Sequence, residues 1–210
     1  MFAVLADSRT GSHLLRTLLN SHPRLHCFDE ILGFRKSEKD FYKLGKHEGC
    51  LISYANIVAG NEFAQGNNIK RIISILRTKP VIHLTRDLSE RAKSQLFYSQ
   101  TKARFEKESP FRKANLEADV RFEQREEDVD AVQLAKIEKM FQERKDACLA
   151  ALAPVPEHWL NISYEWLCGD EQLKQLDDEK AKVLCDYLQV RMVTMTTNLY
   201  KIRKFDPCQA

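Results

Sequence analysis

FAVLADSRTGSHLLRTLLNSHP, residues 2–23, is the stretch from which the fold follows. Phe2 to Ala6 is a short, wholly apolar run of the kind a strand makes when both its faces are covered. Asp7-Ser8-Arg9-Thr10-Gly11-Ser12 comes next as a tight turn, and Leu14, Leu15, Leu18 and Leu19 then recur at helical spacing. Asn20-Ser21-His22-Pro23 ends the helix. A glycine turn between strand and helix lets backbone N–H groups converge, and the helix start adds unpaired N–H groups and the positive end of its dipole. Such a place binds anions, phosphate most often. Arg9 adds a formal charge in a fork suited to phosphate or sulfate oxygens. Ser12 is expected to cap the helix and donate its hydroxyl, and His13 is a further candidate donor.

The turn does not match the nucleoside-triphosphate loop GxxxxGK[ST]. No glycine stands five residues before Gly11, and no lysine follows it. The apparatus for magnesium and a triphosphate is therefore not evident.

A second strand-turn-helix lies downstream in VIHLTRDLSERAKS, residues 81–94. Val81 to Thr85 reads as a strand, Arg86 sits just past its carboxyl end, and Leu88 to Gln100 reads as a helix. Ligands of α/β sheets gather at that edge. Ser94 lies on the helix that follows, within reach of the same ligand as Arg86.

Cys50 to Tyr54 and Trp159 to Ser163 are further strand candidates. Strands alternating with helices predict an α/β fold with a central, mainly parallel sheet flanked by helices. Leu134, Ile137, Phe141, Cys148 and Leu152 form one apolar stripe of a helix starting near Asp130. A last helix is expected from Asp178 to Leu188, capped by Asp177 or Asp178. Residues 102–130 are dense in charge and poor in large aliphatics, and read as an exposed insert or lid within one domain spanning 1–210. His22 reads as a helix-end residue and His83 as a strand residue facing the core.

The chain has 210 residues, 43% hydrophobic and 30% charged, with a net charge of +3. That composition is ordinary for a globular domain and excludes collagen-like and low-complexity chains. The small charge and the lack of a basic-aromatic stripe argue against nucleic acid as a partner. No apolar run approaches the roughly 18–20 residues of a membrane helix, so no stable insertion is expected. The six cysteines show neither CxxC pairs nor zinc-ligand spacing. Reduced thiols and a cytoplasmic chain are expected.

Taken together, SRTGSHLLRTLLNSHPRLHCFDE (8–30) and VIHLTRDLSERAKSQL (81–96) resemble the P-loop sulfotransferases that use 3′-phosphoadenosine 5′-phosphosulfate (PAPS). The first is similar to that family's 5′-phosphosulfate loop, the second to its 3′-phosphate strand, loop and helix. The interval of eight from Arg86 to Ser94 is also the family's. ISYEWL (162–167) resembles the YEDL segment, and Cys185-Asp186-Tyr187-Leu188-Gln189-Val190 the helix ending after it. Bacterial carbohydrate sulfotransferases of the trehalose and nodulation-factor type are the nearest in pattern.

The resemblance implies a three-layer P-loop NTPase-like fold. It implies PAPS as donor, 3′,5′-adenosine bisphosphate (PAP) as product, and no metal. Arg9, Thr10, Gly11, Ser12, His13 and Leu14 would take the 5′-phosphosulfate, and Arg86 and Ser94 the 3′-phosphate. Glu30, in HCFDEIL, falls at the family's base position, with Asp29 the rival. The acceptor would be a hydroxyl on a carbohydrate, glycolipid or other small molecule, and a homo-oligomer is compatible with the resemblance. His13 replaces a usual Ser or Thr, and Asp87-Leu88 a common Asn-Pro. Thr194 to Lys204 stands in place of a glycine-rich loop, with Lys201, Arg203 and Lys204 as candidate nucleotide contacts. These departures keep two alternatives in view: a relative that binds PAPS without turnover, and a small-molecule kinase with a degenerate loop.

Overall fold

The computed structural model describes residues 1–29, 44–58, 67–105, 130–168 and 173–197. Five strands form one sheet: β1 (Phe2–Ala6), β2 (His26–Phe28), β3 (Glu48–Ser53), β4 (Val81–Thr85) and β5 (Leu160–Ser163). Their order is β2-β3-β1-β4-β5, and every pairing is parallel. The described helices are α1 (Ser12–Ser21), α2 (Asn67–Thr78), α3 (Leu88–Phe105), α4 (Ala131–Leu152), α5 (Tyr164–Cys168) and α6 (Asp178–Tyr187). A short 3₁₀ turn, Tyr54–Asn56, follows β3. The architecture is the expected α/β sheet flanked by helices.

Strands β1 and β4 have the boundaries read from the sequence. Strand β3 starts before Cys50 and stops at Ser53, because Ser53 caps the 3₁₀ turn that Tyr54 opens. Strand β5 begins one residue later than expected, at Leu160. Helix α3 continues past Gln100 to Phe105, so residues 102–105 of the expected insert are helical. Residues 106–129 of that insert lie outside the described residues. Asp130 and Asp177 cap α4 and α6 with their carboxylates.

Alternation along β1 divides the core into two layers. Phe2, Val4 and Ala6 pack with Leu15, Leu18 and Leu19 of α1 and with Ala181, Leu184 and Cys185 of α6. Ala3 and Leu5 face the other way, against Ile72, Ile75 and Leu76 of α2 and Cys148 and Leu152 of α4. Trp159 closes this second layer and donates its indole N–H to Leu76 O at 2.8 Å. The five described cysteines are buried thiols. No described helix is long and apolar enough to cross a membrane.

The order of strands positions the site. The chain leaves β1 toward β2 on one side and leaves β4 toward β5 on the other. Connections that diverge from adjacent strands open a crevice at the strands' carboxyl ends. Both turns singled out in the sequence stand at that crevice, after Ala6 and after Thr85.

Gly49 faces Phe2 in the β1–β3 register, and a Cβ there would overlap the buried Phe2 ring. Gly49→Ala is expected to lower stability by about 1–3 kcal/mol through overpacking. Urea unfolding followed by circular dichroism checks this.

Candidate functional site

The turn after β1 has an unusual backbone. Arg9 adopts φ 63° and Gly11 φ 89°, both left-handed. Glycine tolerates this freely, but a residue with a side chain, such as Arg9, is strained by roughly 1–3 kcal/mol. The strain persists because the neighbouring backbone groups are each tied down. Asp7 Oδ1 accepts the Ser8 N–H at 2.8 Å. Arg91 Nε donates to Ser8 O at 2.8 Å, and Arg86 Nη1 donates to Arg9 O at 3.1 Å. The Thr10 hydroxyl donates to Asp7 O at 2.7 Å. Helix α1 then starts, leaving the N–H groups of Gly11 to Leu14 without intrahelical partners.

Gly11, not Ser12, is the N-cap of α1, and no side chain caps it. The left-handed turn brings the chain into the helix one residue earlier than a serine cap would. Ser12 is therefore the first helical residue, and its hydroxyl caps nothing. Tyr164 explains the glycine a second way. Its ring lies where a Gly11 Cβ would be, with Cε2 2.8 Å from that position.

Behind the turn is a buried charge cluster. Asp7 and Arg91 are 3% and 4% exposed, and Arg91 Nη2 donates to Asp7 Oδ2. Arg144, from α4, adds Nη1 to Asp7 Oδ1 at 3.2 Å. The Arg91 guanidinium lies 3.5 Å over the Phe141 ring, also from α4. Burial draws its pKa down, and Asp7 opposes that shift.

Arg86 is carried from β4 to the same turn. Its guanidinium lies 4.4 Å over the Tyr164 ring. Its Nε is buried and has no hydrogen-bond partner among the described residues. Burial pushes the Tyr164 phenol up to about 12, with Arg86 opposing, so the ring stays neutral near pH 7. Arg9 itself docks on α3: its guanidinium lies 3.5 Å over the Tyr98 ring, and Nε donates to Gln95 Oε1 at 3.3 Å. Burial lowers its pKa, and the Tyr98 phenol opposes this. Arg91, Ser94, Gln95 and Tyr98 recur at helical spacing on one side of α3. Half-buried Ser94 therefore stands on the helix side that touches the turn.

Of the residues read from the sequence, Arg9, Thr10, Gly11, Ser12, His13, Leu14 and Arg86 are gathered at one crevice, with Ser94 on the flanking helix. His13 is exposed there. Glu30, Lys201, Arg203 and Lys204 lie outside the described residues. Asp29 is 54% exposed in its side chain and pairs with Arg16 at 3.3 Å. His22 is buried at the end of α1, accepting the Arg24 N–H at Nδ1 and donating from Nε2 to Arg191 O. His83 is buried as expected. Its Nδ1 donates to Asn161 Oδ1 at 2.9 Å, and Nε2 accepts from the Tyr54 hydroxyl at 2.6 Å. With both nitrogens of each ring engaged, neither histidine is placed to take a proton from a ligand.

Sequence reasoning gives no role to Asp7, Arg91, Arg144 or Tyr98. Asp7 stands at the strand end, where a carboxylate beside an anion turn is odd, and that oddity is the one available signal. Nothing in the pattern points to Arg144, more than a hundred residues away. A groove of about 390 Å³ runs along α1 beyond the turn, lined by Arg16, Thr17, Asn20, Ser21, Thr196 and Thr197. Thr17 and Thr197 meet there, their hydroxyls 2.8 Å apart.

The crevice, its divergent strands and its arginine-tied turn belong to a parallel α/β fold. The fold is shared with a sulfotransferase from Alicyclobacillus acidocaldarius, known from its crystal structure. The match has a TM-score of 0.57 at 13% identity and covers 99% of this chain and 86% of that one. No family model matches the sequence, and no curated protein matches it significantly.

Two outcomes are expected from this geometry. Asp7→Asn leaves Arg91 and Arg144 without a buried counter-charge, and should cost about 3–5 kcal/mol in urea unfolding. Burial, the main cause, lowers the His83 pKa from its ordinary 6.5. The unfolded chain then binds the proton more readily, so this contribution to stability is full above pH 6.5 and is lost as pH falls through the depressed value. His83→Gln should remove that part of the slope when the urea midpoint is measured from pH 7.5 down to about pH 5.

Proposed function

We propose that the chain is a sulfotransferase. It would move the sulfuryl group of PAPS to an acceptor hydroxyl on a carbohydrate or glycolipid, releasing PAP. One observation carries the reading. Arg86, 77 residues beyond Arg9, reaches the Arg9 carbonyl and keeps a buried Nε without a described partner. The two segments read from the sequence as anion sites thus meet at one crevice, which supports a donor with two separate phosphate positions. The shared fold supports the same class.

In this reading the N–H groups of Gly11 to Leu14 hold the 5′-phosphosulfate, with Arg9, the Thr10 turn, the Ser12 hydroxyl and His13 around it. Arg86 and Ser94 take the 3′-phosphate, and Lys201 and Arg203 add contacts to the nucleotide. The acceptor oxygen attacks sulfur in line. One S–O bond forms to the acceptor as the S–O bond to the nucleotide phosphate breaks. Glu30 receives the acceptor's proton. Negative charge grows on the leaving phosphate oxygen, where fixed donors and the Arg9 cation stabilise it without reorganising. A sulfuryl group carries less charge than a phosphoryl group, so this chemistry does not call for a metal.

Calorimetry with PAP, beside 5′-AMP and ATP and without metal, tests the donor assignment. PAP should bind best, and Arg86→Ala should weaken it about tenfold or more, the loss of a charge-assisted contact. Equal binding of all three nucleotides would overturn the 3′-phosphate site. Glu30→Gln should keep PAP affinity while transfer to an acceptor falls roughly 10²–10⁴-fold. PAP binding with no transfer by the wild type would favour the binding-protein alternative, and magnesium-dependent ATP turnover the kinase.

A further inference from the structure

We infer that Arg144 is a positioning residue for the donor turn: through Asp7 it holds the Ser8–Arg9 backbone in its anion-binding form. The inference rests on the donor-site reading above and adds a residue that no motif marks. Asp7 Oδ1 is shared between the Ser8 N–H at 2.8 Å and Arg144 Nη1 at 3.2 Å. The same carboxylate's Oδ2 is held by Arg91, whose Nε takes the Ser8 carbonyl. Both polar groups of the Ser8 backbone are therefore clamped by one cluster. Its left-handed neighbour Arg9 is fixed between that clamp and Arg86.

Helix α4 braces the cluster twice. Phe141 lies under the Arg91 guanidinium, and Arg144, one turn on, meets the carboxylate. Phe141 and Cys148 are fully buried, which fixes this side of the helix against the core. The two guanidinia and one carboxylate also leave a net charge of +1 behind a turn that receives anions. Removing Arg144 leaves the Asp7–Arg91 pair intact but neutral. The Arg144 side chain is 30% exposed, so its loss leaves no large cavity.

The test compares Arg144→Gln and Arg144→Lys with the wild type. Amide hydrogen exchange is read without ligand, and PAP binding by calorimetry. Arg144→Gln should speed exchange at Ser8 and Thr10, whose N–H groups are bonded within the turn, and weaken PAP, each by about tenfold, while β3 and α6 exchange as before. Arg144→Lys should restore PAP affinity to within about threefold by returning the charge. Exchange unchanged at Ser8 and Thr10, or raised equally across the chain, would overturn the inference, as would undiminished PAP affinity in Arg144→Gln. A wild type that does not bind PAP would overturn the donor reading alone. The exchange comparison would then still decide whether Arg144 holds the turn.

Discussion

The Asp7 carboxylate is the point on which the candidate site depends. It follows β1, is almost wholly buried, and gathers one backbone N–H and two guanidinia. A buried ion pair is a poor source of stability, because desolvation offsets most of the attraction. Its value lies in geometry. An unpaired charge in that place is so costly that the partners have one arrangement available. Arg91 in turn fixes the Ser8 carbonyl, and the turn keeps a backbone that Arg9 would otherwise abandon. The unpaired N–H groups at the start of α1 inherit their aim from the Asp7 carboxylate behind them.

Strand order does at larger scale what Asp7 does locally. With β1 and β4 adjacent and their connections diverging, the two arginine turns are brought to one crevice. Tyr164, at the start of α5 after β5, then fills the space between them, its ring against Gly11 and under Arg86. Three neighbouring strands of the sheet thus each deliver one part. The buried histidines have the opposite role. His22 and His83 commit both ring nitrogens to structural partners. Both rings are thereby part of the scaffold around the crevice.

Much of the fold is legible in the sequence, for reasons that differ by element. Strands β1 and β4 are short apolar runs with polar punctuation, the mark of a strand buried on both faces. Helices α4 and α6 carry acidic caps and apolar stripes. Strand β2 has three residues and α5 has five, too few to show a period. Helix α2 escapes the pattern although Ile72, Ile75 and Leu76 stand at helical spacing, because isoleucine-rich runs suit strands equally well.

Reading the residues in order suffices for the class of fold and for the two strand-turn-helix segments that reach the crevice. Each is a local pattern of strand, glycine or arginine, and helix. Packing settles the rest: which turn meets which, that Gly11 rather than Ser12 opens α1, and that Arg9 rests on Tyr98. Packing also joins Asp7 to Arg144 across 137 positions. The physical reason is that a local pattern records the backbone's own preferences, whereas a buried charge is satisfied by whatever the packing of distant helices brings to it.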